Sequence, residues 1–239
     1  LAGGAGSAPY VLPAIVGRIG GATVEEGAEE LRLMLLQLVE LLLERAGAGV
    51  GTNMSELVQL LSVSLGDSFP DAKKLSCTLT VALARALPEL IVPHCATLAA
   101  ALQPCLVHQH SRVRAIATEA LVALLLREPS TLPELAPQLA LITTDRAPSV
   151  REQAVHSVAE LLARMPQRRQ HAARLLPLLL CALSDEVDAI QAHAQAALRN
   201  LGDLLASEAT AAGDAPAAPD LITAAAAATS AHNTSAPDP

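Results

Sequence analysis

The chain has 239 residues, 51% hydrophobic and 17% charged, with 16 Lys and Arg against 24 Asp and Glu, a formal net charge of −8. That balance disfavours a general nucleic-acid binder and any broad surface for anionic membranes, while leaving room for a local basic patch. The apolar content is mostly Ala and Leu, both good helix formers, and there is one Phe, one Tyr and no Trp, so all-helical packing is expected.

In chain order, residues 1–22 read as the second helix of a truncated preceding repeat, with Val11 to Gly20 as the helical segment. This stretch lacks a basic n-region and is broken by Pro13 and Gly17, which argues against a signal peptide and suggests a chain cut from something longer. Residues 23–66 read as a full repeat. Thr23 with Glu26 forms a capping box, a long helix follows, and Gly47 to Gly51 end it. Thr52 or Asn53 would cap the next helix. The apolar run Leu33 to Leu43 is interrupted by Gln37 and Glu40 and reads as a core helix, not a membrane span. Further repeats occupy 67–107, 108–144 and 145–184, with Pro70 and Pro148 suited to the first turn of a helix. Pro88, Pro129 and Pro166 stand where first helices end. Pro93, Pro104, Pro137 and Pro177 fall in or near the second helices and should kink or shorten them. Residues 185–208 supply one first helix, Glu186 to about Ser207, and 209–239 form an Ala- and Pro-rich tail expected to be disordered.

One column ties these units together. Leu31-Arg32, Ala72-Lys73, Val113-Arg114, Val150-Arg151 and Ile190-Gln191 recur at spacings of 41, 41, 37 and 40 residues. Three residues beyond the second member stand Leu35, Ser76, Ala117, Ala154 and Ala194; ten beyond stand Leu42, Leu83, Leu124, Leu161 and Leu201. Offsets of three, seven and ten share one face of a 3.6-residue helix. The period predicts an all-α solenoid, a right-handed stack of antiparallel helix pairs in which each unit buries its apolar face only against its neighbours. Six residues before the column stand Glu26, Asp67, His108, Asp145 and Asp185. The four cysteines show no C-x-x-C pair or framework spacing, which favours a reducing compartment.

Asp67-x-x-Pro70 before Lys73, and Asp145-x-x-Pro148-Ser149-Val150-Arg151-x-x-Ala154, resemble the D-x-x-P-x-V-R-x-x-A pattern of HEAT repeats. In that family the acidic and basic columns form a ladder between successive repeats. Carried over, the ladder would use Glu26, Asp67, Asp145 and Asp185 with Arg32, Lys73, Arg114 and Arg151, interrupted at His108 and at Gln191. Loss of Arg151 should then cost on the order of 1 kcal/mol if the pair is partly exposed. The segments Glu29 to Leu38, Phe69 to Cys77 and His108 to Arg114 together resemble the HEAT-repeat dynein axonemal assembly factor family. That resemblance implies a cytoplasmic, non-catalytic scaffold for dynein-arm pre-assembly in motile cilia. Its partners would be dynein heavy and intermediate chains, chaperones and other assembly factors, with no nucleic acid, membrane or small-molecule substrate. A general HEAT adaptor, such as a transport receptor or phosphatase scaffold, is the alternative.

Candidate chemistry is sparse. Cys105, His108 and His110, with His94 and Cys95 upstream, hold metal-ligand types, but a turn and a helix give no reason for four-ligand convergence, and no metal or cofactor is expected. No histidine is followed by Glu, so the His-Glu pairs of HEAT-like di-iron hydroxylases are missing. Tyr10 and Phe69 alone cannot build the aromatic pocket of a base-flipping glycosylase. Gly47 to Gly51 lacks the Lys-Ser/Thr of a phosphate loop. An enzyme is not expected. Arg164, Arg168, Arg169 and Arg174, with His171, concentrate positive charge at one turn and form a candidate partner-binding surface for an acidic peptide, set against the plainer reading of a solvated turn.

Overall fold

A computed structural model of the chain describes residues 4–211, which are helical apart from short turns, with no strand among them. The helices are α1 (Gly4–Ile19), α2 (Glu29–Ala46), α3 (Met54–Ser64), α4 (Pro70–Ala86), α5 (Pro88–Ile91), α6 (Cys95–Leu106), α7 (Ser111–Leu125), α8 (Leu132–Thr143), α9 (Pro148–Arg164), α10 (Arg168–Ala182) and α11 (Asp188–Ala211). Short 3₁₀ turns at Gly47–Asn53, Val92–His94 and Pro129–Thr131 lead into α3, α6 and α8.

Two layers result. In the first, α2, α4, α7, α9 and α11 pack each on the next; in the second, α1 packs on α3, α3 on α6, and α8 on α10. Each second-layer helix also packs on the following first-layer helix. The column residues explain why. Ala72, Val113, Val150 and Ile190 are buried at successive first-layer contacts, and Ser76, Ala117, Ala154 and Ala194 keep the next position small so that backbones approach closely. Leu42, Leu83, Leu124, Leu161 and Leu201 are buried two turns beyond. Leu31, by contrast, is 46% exposed, because no first-layer helix precedes α2 among the described residues; Met34, Leu38 and Leu41 share its exposed face. The fold is an all-α repeat solenoid with a ribbon-like core between its layers.

Several local expectations change. Thr23 and Glu26 do not cap a helix: α2 starts at Glu29 with Ala28 at the cap position and no side-chain cap. Glu26 instead turns its carboxylate onto the Ala28 N–H (3.0 Å) and Arg18 (2.8 Å). Asn53 occupies the cap position of α3, yet its side chain bonds no helix N–H, since the preceding 3₁₀ turn leads continuously into the helix. Gly47 does take a positive φ of 50° at the end of α2. Pro104, Pro137 and Pro177 lie inside α6, α8 and α10, which run through them unbroken. The last helix starts at Asp188, after an Asp185 turn, and runs through Ala209 to Ala211, so the tail expected from 209 begins no earlier than 212; residues 212–239 lie outside the described part. One stretch, Pro88–Leu106, is long and apolar enough to cross a membrane by length and composition, but it is divided among α5, a 3₁₀ turn and α6. It packs Ile91, Cys95, Leu98 and Leu102 into the core.

Candidate functional site: an inter-repeat charge ladder and a basic turn

Each first-layer helix from α4 on is preceded by a turn, and before α4, α9 and α11 that turn carries an aspartate six positions ahead of the column residue. In three of these turns the carboxylate folds back on its own backbone: Oδ1 of Asp67, Asp145 and Asp185 accepts the N–H of Phe69 (2.8 Å), Ala147 (2.8 Å) and Val187 (2.9 Å). This is an Asx turn, and in the first two the proline that follows holds the residue before it extended. The same carboxylates receive a guanidinium from the preceding repeat. Arg32 meets Asp67 at 2.7 and 2.8 Å, Arg114 meets Asp145 at 2.6 and 2.7 Å, and Arg151 meets Asp185 at 2.6 and 2.9 Å. All three contacts use Nε and Nη2, the planar fork that only arginine offers.

The remaining nitrogen, Nη1, ties each arginine to its own turn, donating to the carbonyls of Glu26 and Gly27, of His108 and Gln109, or of Asp145. One guanidinium thus joins two consecutive turns. Hydrogen bonding to Asp67, Asp145 and Asp185 raises the arginines above their usual range. Burial alone would raise Asp67 and Asp145, but the arginine, the turn N–H and nearby positive charge outweigh it and hold both below the ordinary carboxylate value. Asp185 lies low chiefly because of its bond from Arg151.

The departures in the columns show which half of this device each residue supports. Glu26 pairs with Arg18 of α1, while Arg32 takes only its main-chain carbonyl. Lys73 meets no carboxylate among the described residues; buried, it donates to Leu65 O at 3.1 Å, because the next turn carries His108 where an acid would stand. His108 still closes its own turn, its Nδ1 accepting the His110 N–H at 3.1 Å. Burial, with the charges of Lys73, His110 and Arg114, lowers its pKa, so the neutral ring is the folded form. Stability from this turn is fully present above about pH 6.5 and is lost as pH falls towards the lowered folded value. Gln191 makes the complementary compromise: its side-chain N–H donates to Asp185 O at 2.6 Å, replacing the Nη1 link of an arginine without a fork for a next repeat. Lys73 and His108 therefore leave one junction without the cross-repeat pair. Installing Lys73→Arg together with His108→Asp should add about 1 kcal/mol, while Lys73→Arg alone should destabilise by leaving a buried guanidinium unpaired. A double-mutant cycle on denaturation midpoints measures the coupling, and zero coupling would deny the pair any energetic role.

The basic turn is partly self-neutralised. Arg164 pairs with Glu160 on α9. Arg168 and Arg169 both approach Glu208 of α11, at 3.3 and 3.7 Å, with side-chain exposures of 20% and 57%. Arg174 is exposed and has no ion-pair partner among the described residues. Gln167, between α9 and α10, adopts a left-handed φ of 51° that turns the chain sharply here. Glu208, some forty residues downstream, was not legible as a partner from local sequence. The Cys105 and His108 ligand types do not converge: Cys105 is buried with Sγ at 3.2 Å from Leu65 O, and His108 spends its Nδ1 on the turn. All four cysteines are free; hydrogen bonding to Cys105, then burial, raises the Cys77 thiol, and burial pushes Cys95 up to about 11.

Stacked helix pairs joined at consecutive turns define the class of all-α repeat solenoids. The chain belongs to the family described as "Dynein axonemal assembly factor 5-like, TPR repeats", whose model matches residues 4–211. TPR units are about 34 residues long, whereas the 37 to 41 residues here are nearer to HEAT units; both are helix pairs. Among similar proteins are dynein axonemal assembly factor 5 of Xenopus laevis, 30% identical over 184 residues, and that of Homo sapiens, 30% identical over 199 residues. The Drosophila melanogaster protein of the same name is 26% identical over 192 residues. These alignments cover 77–81% of this chain but only 22–23% of each relative, so the chain spans under a quarter of their length.

Proposed function

We propose that this chain is a non-catalytic scaffold segment that takes part in assembling axonemal dynein arms in the cytoplasm. It would hold dynein heavy or intermediate chains together with chaperones and other assembly factors, without a cofactor. The observation that carries this reading is the family match over residues 4–211, supported by relatives named for dynein assembly. The repeats at 23–66, 67–107, 108–144 and 145–184 act as spacers whose junctions the charge ladder stiffens, and the basic turn is the docking surface for an acidic segment.

Arg174 is the residue to test. Reversing Arg168 and Arg169 would also break their contacts with Glu208, confounding binding with local stability. Arg174→Glu changes only an exposed charge and should weaken capture of dynein chains from ciliated-cell extract several-fold while leaving helicity unchanged. The loss should be largest at low ionic strength, because exposed charges are screened beyond about 10 Å at 0.1 M salt. Affinity capture with mass spectrometry measures it. Full dynein capture by Arg174→Glu removes the basic turn from the interface, and enrichment of transport cargo or phosphatase subunits in place of dynein chains overturns the assembly reading.

A further inference from the structure

We propose that Glu152, His156 and His193 form a site for a divalent transition-metal ion, best suited to Zn²⁺, that pins α11 to α9. Glu152 and His156 are separated by one helical turn of α9 and so lie on one face. His193 comes from α11, the next helix of the same layer. One ligand atom from each of the three lies within 4.8 Å of the other two. His193 Nδ1 stands 3.5 Å from Glu152 Oε1, and the two imidazole rings have centroids 4.6 Å apart, tilted by 50°.

The distances suit a small tetrahedral ion. Ligand atoms about 2.1 Å from zinc stand roughly 3.4 Å apart at tetrahedral angles, close to the nearest separation seen here. His156 is exposed and Glu152 and His193 are half-buried, so a rotation of side chains alone closes the remaining gap. The site also answers an anomaly of the polar packing. His193 Nδ1 is shielded from solvent yet has no hydrogen-bond partner, an uncommon state for a buried nitrogen. A cation between it and the Glu152 carboxylate supplies the missing partner. Two imidazoles and one carboxylate select borderline ions such as Zn²⁺, Co²⁺ or Ni²⁺ over Ca²⁺ and Mg²⁺, which take oxygen ligands. Three protein ligands leave the fourth position to water. Such a bond would join two helices at the Arg151–Asp185 junction, on residues that lie outside the repeat columns.

Zinc chloride titrated into the metal-free chain in a calorimeter should show one saturable equivalent, and cobalt chloride should produce the visible absorption of a four-coordinate ion. His156→Gln and His193→Gln should each weaken zinc affinity by more than about 10-fold, since losing a ligand exceeds the loss of an outer-shell partner. Zinc should raise the Tm of the parent and of a His110→Gln control, but not of the two ligand variants. Circular dichroism of the metal-free proteins verifies that the variants fold. Absence of a saturable equivalent in the parent overturns the site outright. Unchanged affinity in both ligand variants, or loss of binding on His110→Gln, places any zinc elsewhere and overturns it equally.

Discussion

Arg114→Ala should lower the stability of the chain by about 3 kcal/mol, several times the effect expected of an exposed ion pair. The reason is burial. The Arg114 and Asp145 side chains are only 6% and 11% exposed, and the truncation would leave Asp145 with its turn N–H but no counter-ion. It would also orphan the carbonyl of His108 and leave that of Gln109 with only a 3.4 Å contact from Arg146. Arg151→Ala should behave alike, well above the 1 kcal/mol or so appropriate to a partly exposed pair, because Arg151 and Asp185 are equally enclosed. Arg174→Ala, on the surface, should stay within about 0.5 kcal/mol of the parent. Equilibrium urea unfolding provides the comparison, and equal midpoints for Arg114→Ala and the parent would refute a stabilising ladder. The sign of the pH dependence follows from the lowered carboxyls. Asp67, Asp145 and Asp185 have folded pKa values below their ordinary 3.8. Their contribution is therefore complete above about pH 4 and is lost as pH falls through the folded values. The gap between the parent and Arg114→Ala should narrow as pH falls through the folded value of Asp145.

Leu83→Ala should cost a similar amount, about 3 kcal/mol, by a different route. Leu83 is fully buried on α4, which packs against both α2 and α7. Removing its isobutyl group forfeits transfer free energy and leaves a cavity that two flanking helices cannot both fill. Leu201, the equivalent position on α11, has no later first-layer helix beyond it among the described residues and is 5% exposed. Leu201→Ala should therefore cost less. In a stack of units coupled mainly to neighbours, the damage should be local. Hydrogen exchange should accelerate first in α2, α4 and α7, and acceleration spread evenly over all helices would contradict the nearest-neighbour picture.

The architecture was readable because the repeat writes the same constraints several times. The positions at Ala117, Ala154 and Ala194 announce close helix contacts by their size, and Pro70 and Pro148 announce helix starts by their fixed backbone angle. The arginine and aspartate columns could be aligned by register alone. What register could not convey was the double attachment of each arginine, because the main-chain carbonyls it binds carry no side-chain signature. Thr23 and Glu26 misled because Thr-x-x-Glu is also what remains when a glutamate stands in the ladder's acidic column. The Arg168 and Arg169 pairing with Glu208, and the meeting of Glu152 and His156 with His193, bring together residues on separate helices. Neither spacing nor composition marks such encounters.

The small residues between first-layer helices have a mechanical consequence. Ser76, Ala117, Ala154 and Ala194 set the distance at which each helix leans on the one before. A globular protein absorbs a misfit in a common core, but a linear stack transmits it, since every later unit inherits the tilt of the one it rests on. A single added methylene at Ala117 would act as a wedge near the pivot of a lever, with the displacement growing towards α11. These inconspicuous small residues therefore govern the pitch of the array, and with it the distance between any two surfaces that a bound chain must reach at once.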